Sequence, residues 1–135
     1  MISVLNHITL SVSNLEKSFK FYTKILGCQP IAKWKQGAYL LAGEFWLCLS
    51  VDELTFTNPN REYTHIAFSI PIQDFDRSKE LLIEAGIKQW KENSSEGESI
   101  YILDPDNHKL ELHVGDLWSR IAATKKQQFE AMEFF

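Results

Sequence analysis

Asn6-His7-Ile8-Thr9-Leu10-Ser11-Val12 and Thr64-His65-Ile66-Ala67-Phe68-Ser69-Ile70 decide how this chain is read, because they are two versions of one strand. Each places His second and then alternates, so successive side chains leave opposite faces of a sheet. Outward from each strand runs a helical stretch. Leu15, Phe19, Tyr22 and Leu26 recur at helical spacing in the first, and Phe75, Leu81, Leu82 and Ala85 do so less regularly in the second. Ser13 with Glu16 reads as a capping box, Asp74 as an N-cap, and Gly27 and Gly86 as helix stops. Beyond the helices, Ala38–Leu41 and Ser99–Leu103 are matching β-type runs. Each turns back, through Gly43-Glu44 or Asp104-Pro105-Asp106-Asn107, into Phe45–Leu49 or Lys109–His113. The pattern predicts an α+β fold of two βαβββ modules, about residues 4–51 and 63–114, joined by the polar segment 52–62. A short helix from about Leu117, capped by Asp116, opens a C-terminal tail over 115–135, and residues 1–135 form one domain.

The composition narrows the function. With 135 residues there is room for one core and no second catalytic domain. The 14 Lys+Arg against 18 Asp+Glu give a net charge of -4, which argues against a broad nucleic-acid surface. No apolar run is long enough to span a bilayer, and Met1-Ile2-Ser3-Val4 lacks the basic and apolar segments of a signal peptide, so a cytoplasmic protein without a membrane partner is expected. Cys28 and Cys48 follow no CxxC spacing and read as buried thiols, not as a disulfide framework.

Superposing the modules sets His7 against His65 and Cys48 against Glu111, and a pseudo-twofold arrangement would turn these four strand positions toward one cavity. Two imidazoles and a carboxylate, with positions left open, suit a catalytic divalent ion such as manganese, iron or zinc. Glu111 stands between Leu110 and Leu112 on a core strand, where an unpartnered carboxylate would be costly. His113 shares its face and is either a rival ligand or a supporting partner, and His108, at the hairpin turn, is expected to be exposed.

Three stretches then carry a resemblance: Asn6–Leu10, Tyr63-Thr64-His65-Ile66-Ala67-Phe68, and Leu103-Asp104-Pro105-Asp106-Asn107-His108-Lys109-Leu110-Glu111-Leu112-His113-Val114-Gly115. Together they resemble the vicinal oxygen chelate superfamily. The stretches Trp34–Tyr39, Trp46–Ser50 and Trp90–Tyr101 sharpen the likeness to its fosfomycin-resistance glutathione transferases. The resemblance implies manganese-dependent opening of the fosfomycin epoxide by the thiol of glutathione, assisted by potassium, with zinc an alternative occupant of the metal site. It implies His7, His65 and Glu111 as metal ligands, and a domain-swapped homodimer in which His7 of one subunit completes a site with His65 and Glu111 of the other. Lys91, Ser95, Ser99, Tyr101 and Arg120 match residues around the phosphonate, and Thr9 one near the epoxide oxygen. Among these, Thr9, Lys91, Tyr101 and Arg120, with Tyr39, would carry catalysis. Trp34, Gln36, Tyr39, Cys48, Ser50 and Lys91 match the glutathione channel, where Tyr39 would donate to the sulfur. Asn93, Ser95, Gly97 and Ser99 match a potassium loop. Where the family often has Arg, this chain has Ser94, which removes one contact to a glutathione carboxylate.

Other chemistries on the same site are separable by residues. Relatives using cysteine or bacillithiol typically carry Cys where Thr9 stands, and lack the Asn-x-Ser-Glu-Gly-x-Ser loop. Hydrolysis needs a carboxylate base near the epoxide, for which Glu44, in a turn expected to face solvent, is the candidate. A non-catalytic antibiotic-binding protein would have no use for the three ligands.

Overall fold

A computed structural model describes residues 1–55, 58–94 and 96–135. The first module runs β1 (His7–Val12), α1 (Leu15–Lys20), a π turn (Phe21–Ile25) that continues α1 without a break, β2 (Gln29–Trp34), β3 (Gly37–Ala42) and β4 (Phe45–Val51). The second runs β5 (Ile66–Ser69), a 3-10 turn (Ile72–Asp74) leading into α2 (Phe75–Glu84), β6 (Gln89–Lys91), β7 (Ser99–Leu103) and β8 (Lys109–His113). Helix α3 (Leu117–Lys126) follows, with the expected cap: Asp116 accepts from the Ser119 N–H at 2.8 Å.

Each module builds its own four-stranded sheet, in the orders β1-β4-β3-β2 and β5-β8-β7-β6, with β1 parallel to β4 and β5 parallel to β8. The registers superpose. The row Thr9, Cys48, Tyr39, Ala32 in the first sheet has its counterpart in Ala67, Glu111, Tyr101, Lys91 in the second. Likewise Ser50 opposite Gly37 corresponds to His113 opposite Ser99. Trp34 and Trp90 are not counterparts, since Trp34 pairs with Gly37 whereas Trp90 stands one position before Lys91, the counterpart of Ala32.

Alternation sorts the two faces. Leu10, Val12, Ala38, Leu40, Leu47 and Leu49 of the first sheet and Ile100, Ile102, Leu110 and Leu112 of the second are buried in one cluster with Leu15, Phe21, Phe75 and Leu82 from the helices. Each of these side chains larger than Ala38 contributes roughly 1.5–3 kcal/mol by leaving water. The opposite face is left for His7, Thr9, Tyr39 and Cys48 in one sheet and for Ser99, Tyr101, Glu111 and His113 in the other. Leu81 and Ala85, expected on the buried side of α2, are exposed. The irregular spacing there reflects a helix that buries little besides Phe75 and Leu82. Among the described residues no helix is long and apolar enough to cross a membrane.

The capping of α1 differs from the Ser13–Glu16 expectation. Asn14 is the cap, its Oδ1 accepting from the Lys17 N–H at 3.0 Å, while Glu16 pairs with Lys33 at 2.5 Å. Ser13 is engaged elsewhere: its N–H donates to Asp106 Oδ2 at 3.1 Å, and its hydroxyl to Asp106 Oδ1. Asp106 is only 2% exposed. The two acids of the Asp104–Asn107 turn are thus buried against the other module. Ser18 also reaches Asp106, and the Tyr22 hydroxyl donates to Asp104 Oδ2 at 2.8 Å. His108, expected to be exposed, is half-buried and donates from Nε2 to the Ser11 carbonyl at 2.9 Å. The acids of a turn in one module therefore satisfy the donors at the helix start of the other.

Two stability predictions follow from this contact. Asp106→Ala strands the Ser13 and Ser18 donors and should cost about 2–4 kcal/mol, read as a lower urea midpoint at unchanged m-value. Burial and the adjoining Asp104 carboxylate push the Tyr22 phenol well above its ordinary 10.0. A folded-state value raised above the unfolded one stabilises fully below about pH 10 and loses that contribution as pH rises further. Urea midpoints should fall as pH rises above about 10, and Tyr22→Phe should flatten that fall.

Candidate metal and substrate site

The second sheet gathers a compact polar cluster. Glu111, on β8 between two core leucines, is 6% exposed, yet both carboxylate oxygens are partnered. Oε2 lies 2.9 Å from His65 Nε2, and Oε1 accepts from the Ser99 hydroxyl at 2.6 Å. Ser99 in turn accepts from His113 Nδ1 at 2.8 Å, so His113 supports Glu111 through Ser99. Burial alone would raise the Glu111 carboxyl, but hydrogen bonds from Ser99, His65 and Tyr101 outweigh it and hold the group below its usual range. It therefore stays an anion inside the sheet, as a metal ligand must.

Around this acid stands an aromatic and cationic wall. His65 donates from Nδ1 to the Tyr63 carbonyl at 2.8 Å, and its ring lies 5.0 Å from Tyr63, 5.6 Å from Trp90 and 6.1 Å from Tyr101. Lys91 donates to the Tyr63 hydroxyl at 2.6 Å and sits 4.7 Å above the Tyr101 ring. Tyr63 and Trp90 are site residues that the sequence reading gave no role, although Tyr63 lies only two positions before His65 and Trp90 only one before Lys91. Residues 93, 94 and 96–99 form the rim. Asn93 donates to the Gly97 carbonyl at 2.8 Å. Gly97 has φ of +78°, and a Cβ there would approach the Val114 carbonyl to 2.8 Å, so only glycine suits the position. Arg120, in the first turn of α3, reaches Glu96 at 3.5 Å across this rim. Ser95 lies outside the described residues.

The first sheet carries the rest. His7 lies 4.4 Å from Trp46, Trp46 5.4 Å from Tyr39, and Tyr39 4.8 Å from Trp34, a continuous run of rings across the strands. Trp34 and Tyr39 are 45% and 40% exposed, so these rings do not pack the core. Thr9 is opposite Cys48, whose thiol is buried and free, and Ser50 is exposed beside the Gln36 turn. Cys28 is buried too, its thiol pushed up to about 11 by that burial.

The single chain does not join the two groups into one metal site: among the described residues no three His, Cys, Asp or Glu side chains converge to hold an ion. The expectation of one shared cavity is therefore unmet within one chain. The physical reason is that β1 and β5 are edge strands of separate sheets. A cavity of about 470 Å³ touching both is lined largely by apolar residues, Leu5, Ile8, Phe45, Ile66 and Phe68 among them, and by none of the expected ligands. His65 and Glu111 are brought together, and His7 is presented on another face.

A sequence model of the Glyoxalase/Bleomycin resistance protein/Dioxygenase superfamily matches residues 4–112. Glutathione transferase FosA of Serratia marcescens is 48% identical over 99% of this chain and 96% of its own length. The chain belongs to the fosfomycin-resistance branch of this superfamily. Metallothiol transferase FosB of Lysinibacillus sphaericus is 35% identical over 99% of this chain and 97% of its own. Among solved structures, a Glu-to-Gln mutant of the fosfomycin resistance protein FosX of Listeria monocytogenes, in complex with Mn(II) and 1S,2S-dihydroxypropylphosphonic acid, superposes with a TM-score of 0.80 at 34% identity, covering 91% of this chain and 98% of that one. For a superfamily member, the two superposable sheets are the repeated βαβββ modules anticipated from the two His-led strands.

Proposed function

We propose that this chain opens the epoxide of fosfomycin by transferring the thiol of glutathione to it, in a homodimer that uses Mn2+ and K+. The observation that carries the reading is Glu111: a buried carboxylate, kept anionic by Ser99, Tyr101 and His65, with the His65 Nε2 at 2.9 Å. Such a donor pair fits a divalent cation, which would replace the proton shared between them. His7 of a second copy would supply the remaining ligand. When bound, the ion supplies Lewis-acid polarisation of the epoxide.

The chain's own residues account for binding and orientation. Lys91 and Arg120 would be the cations for a phosphonate dianion, with Ser95, Ser99 and Tyr101 proposed beside it, the last two turning their hydroxyls from Glu111 to the phosphonate once the carboxylate holds a metal. Thr9 would face the epoxide oxygen. Trp34, Tyr39 and Ser50 of the first sheet, with Gln36 of the β2–β3 turn and the buried Cys48, would border glutathione, its sulfur near the Tyr39 hydroxyl. Asn93, Ser95, Gly97 and Ser99 would hold potassium. Ser94 offers no charge to a glutathione carboxylate. Glu44, the candidate base for hydrolysis, is exposed in the β3–β4 turn.

The test is mass spectrometry of fosfomycin incubated with the protein, Mn2+ and K+, and one nucleophile at a time: glutathione, cysteine, bacillithiol or water alone. A glutathione adduct that disappears on chelation of the metal is the expected outcome. A diol as the sole product, or consumption that ignores chelation, would overturn the reading.

A further inference from the structure

We propose that the Asn6 side chain is a positioning residue for His7: its amide oxygen accepts the Nδ1 proton, so that the imidazole presents Nε2 with a bare lone pair. The proposal rests on the reading of His7 as a metal ligand. Asn6 Oδ1 lies 2.7 Å from His7 Nδ1. The neighbouring Trp46 ring, at 4.4 Å and inclined by 35°, restrains the plane of the imidazole. Nε2 of His7 carries no hydrogen bond among the described residues.

The second module shows the same arrangement made differently. His65 is also pinned through Nδ1, here by the Tyr63 backbone carbonyl at 2.8 Å, which turns its Nε2 to Glu111 at 2.9 Å. A neutral imidazole has one N–H and one lone pair, and a metal can take only the nitrogen without the proton. Fixing the proton on Nδ1 therefore sets the ring for metal binding before the ion arrives. In the second module the backbone does this and no substitution at Tyr63 or Thr64 removes the acceptor. In the first, a single exposed side chain does it. Only the first is open to test by substitution.

The experiment compares Mn2+ binding, followed by the EPR signal of the free ion, in wild type, Asn6→Ala and Asn6→Asp, with long-range 1H–15N NMR of the His7 ring in the metal-free proteins. Wild type should carry its His7 proton on Nδ1. Asn6→Ala should bind Mn2+ about tenfold more weakly, as loss of an outer partner typically does. Asn6→Asp should restore binding to within about twofold, because a carboxylate accepts the same proton. Asn6 is exposed and precedes β1, so thermal melting should be unchanged in both variants. The proposal is overturned if Asn6→Ala binds Mn2+ as wild type does, if Asn6→Asp is as weak as Asn6→Ala, or if the wild-type proton resides on Nε2. A wild type that binds no Mn2+ at all would overturn the ligand assignment itself, and the proposal with it.

Discussion

Replacing Glu111 by Gln is expected to weaken Mn2+ binding by at least roughly a hundredfold. Loss of a partner outside the coordination shell already costs 10–100-fold in metal affinity, and Glu111 is the only anion proposed to touch the ion. The amide is nearly isosteric, but it can no longer take a full charge, and its NH2 can displace the Ser99 hydroxyl now 2.6 Å from Oε1. Ser99→Ala should have a smaller effect of the same sign, because it removes one hydrogen bond that holds the carboxylate anionic but leaves the charge in place. Isothermal titration with Mn2+, at matched folding stability, measures both. Unchanged affinity in Glu111→Gln would show that the buried acid serves packing and not metal binding.

A second large effect is expected from mixing two inactive variants. His7→Ala and Glu111→Gln should each abolish epoxide opening. If the site is shared between copies, unfolding and refolding an equal mixture should restore about a quarter of wild-type activity, since half the dimers are mixed and one of their two sites is intact. Sites confined to one chain would restore nothing. The geometry favours the first result, because His65 and Glu111 meet within the chain, at 2.9 Å, and His7 does not join them.

The fold was legible because its signal is a periodicity seen twice. Alternation in His7–Val12 and Thr64–Ile70, each followed by a helix and a hairpin, is a local property, and local properties survive in sequence. Position equivalence was legible for the same reason: Cys48 and Glu111 do occupy matching rows. What the chain concealed depends on distance. Nothing in Asp104-Pro105-Asp106-Asn107 distinguishes a solvated turn from one whose acids receive donors some 90 positions away. The Ser13 cap failed for that reason, since Asp106 competes for its hydroxyl. Tyr63 and Trp90 have no spacing of their own that assigns them a role, and it is the rings around His65 that place them at the site. The resemblance named more of the candidate site than the spacing could, since Arg120 and the 93–99 rim carry no pattern of their own.

The union of the Asp104–Asn107 turn with the start of α1 bears on how this protein could be divided. A chain cut between its modules would leave two fragments, each ending at an unsatisfied surface: buried acids on one, their serine and tyrosine donors on the other. Such fragments should find each other in solution, so a split reporter opened in the 52–62 connection would reassemble spontaneously. One opened inside the Asp104–Asn107 turn would sever the contact that drives the reunion.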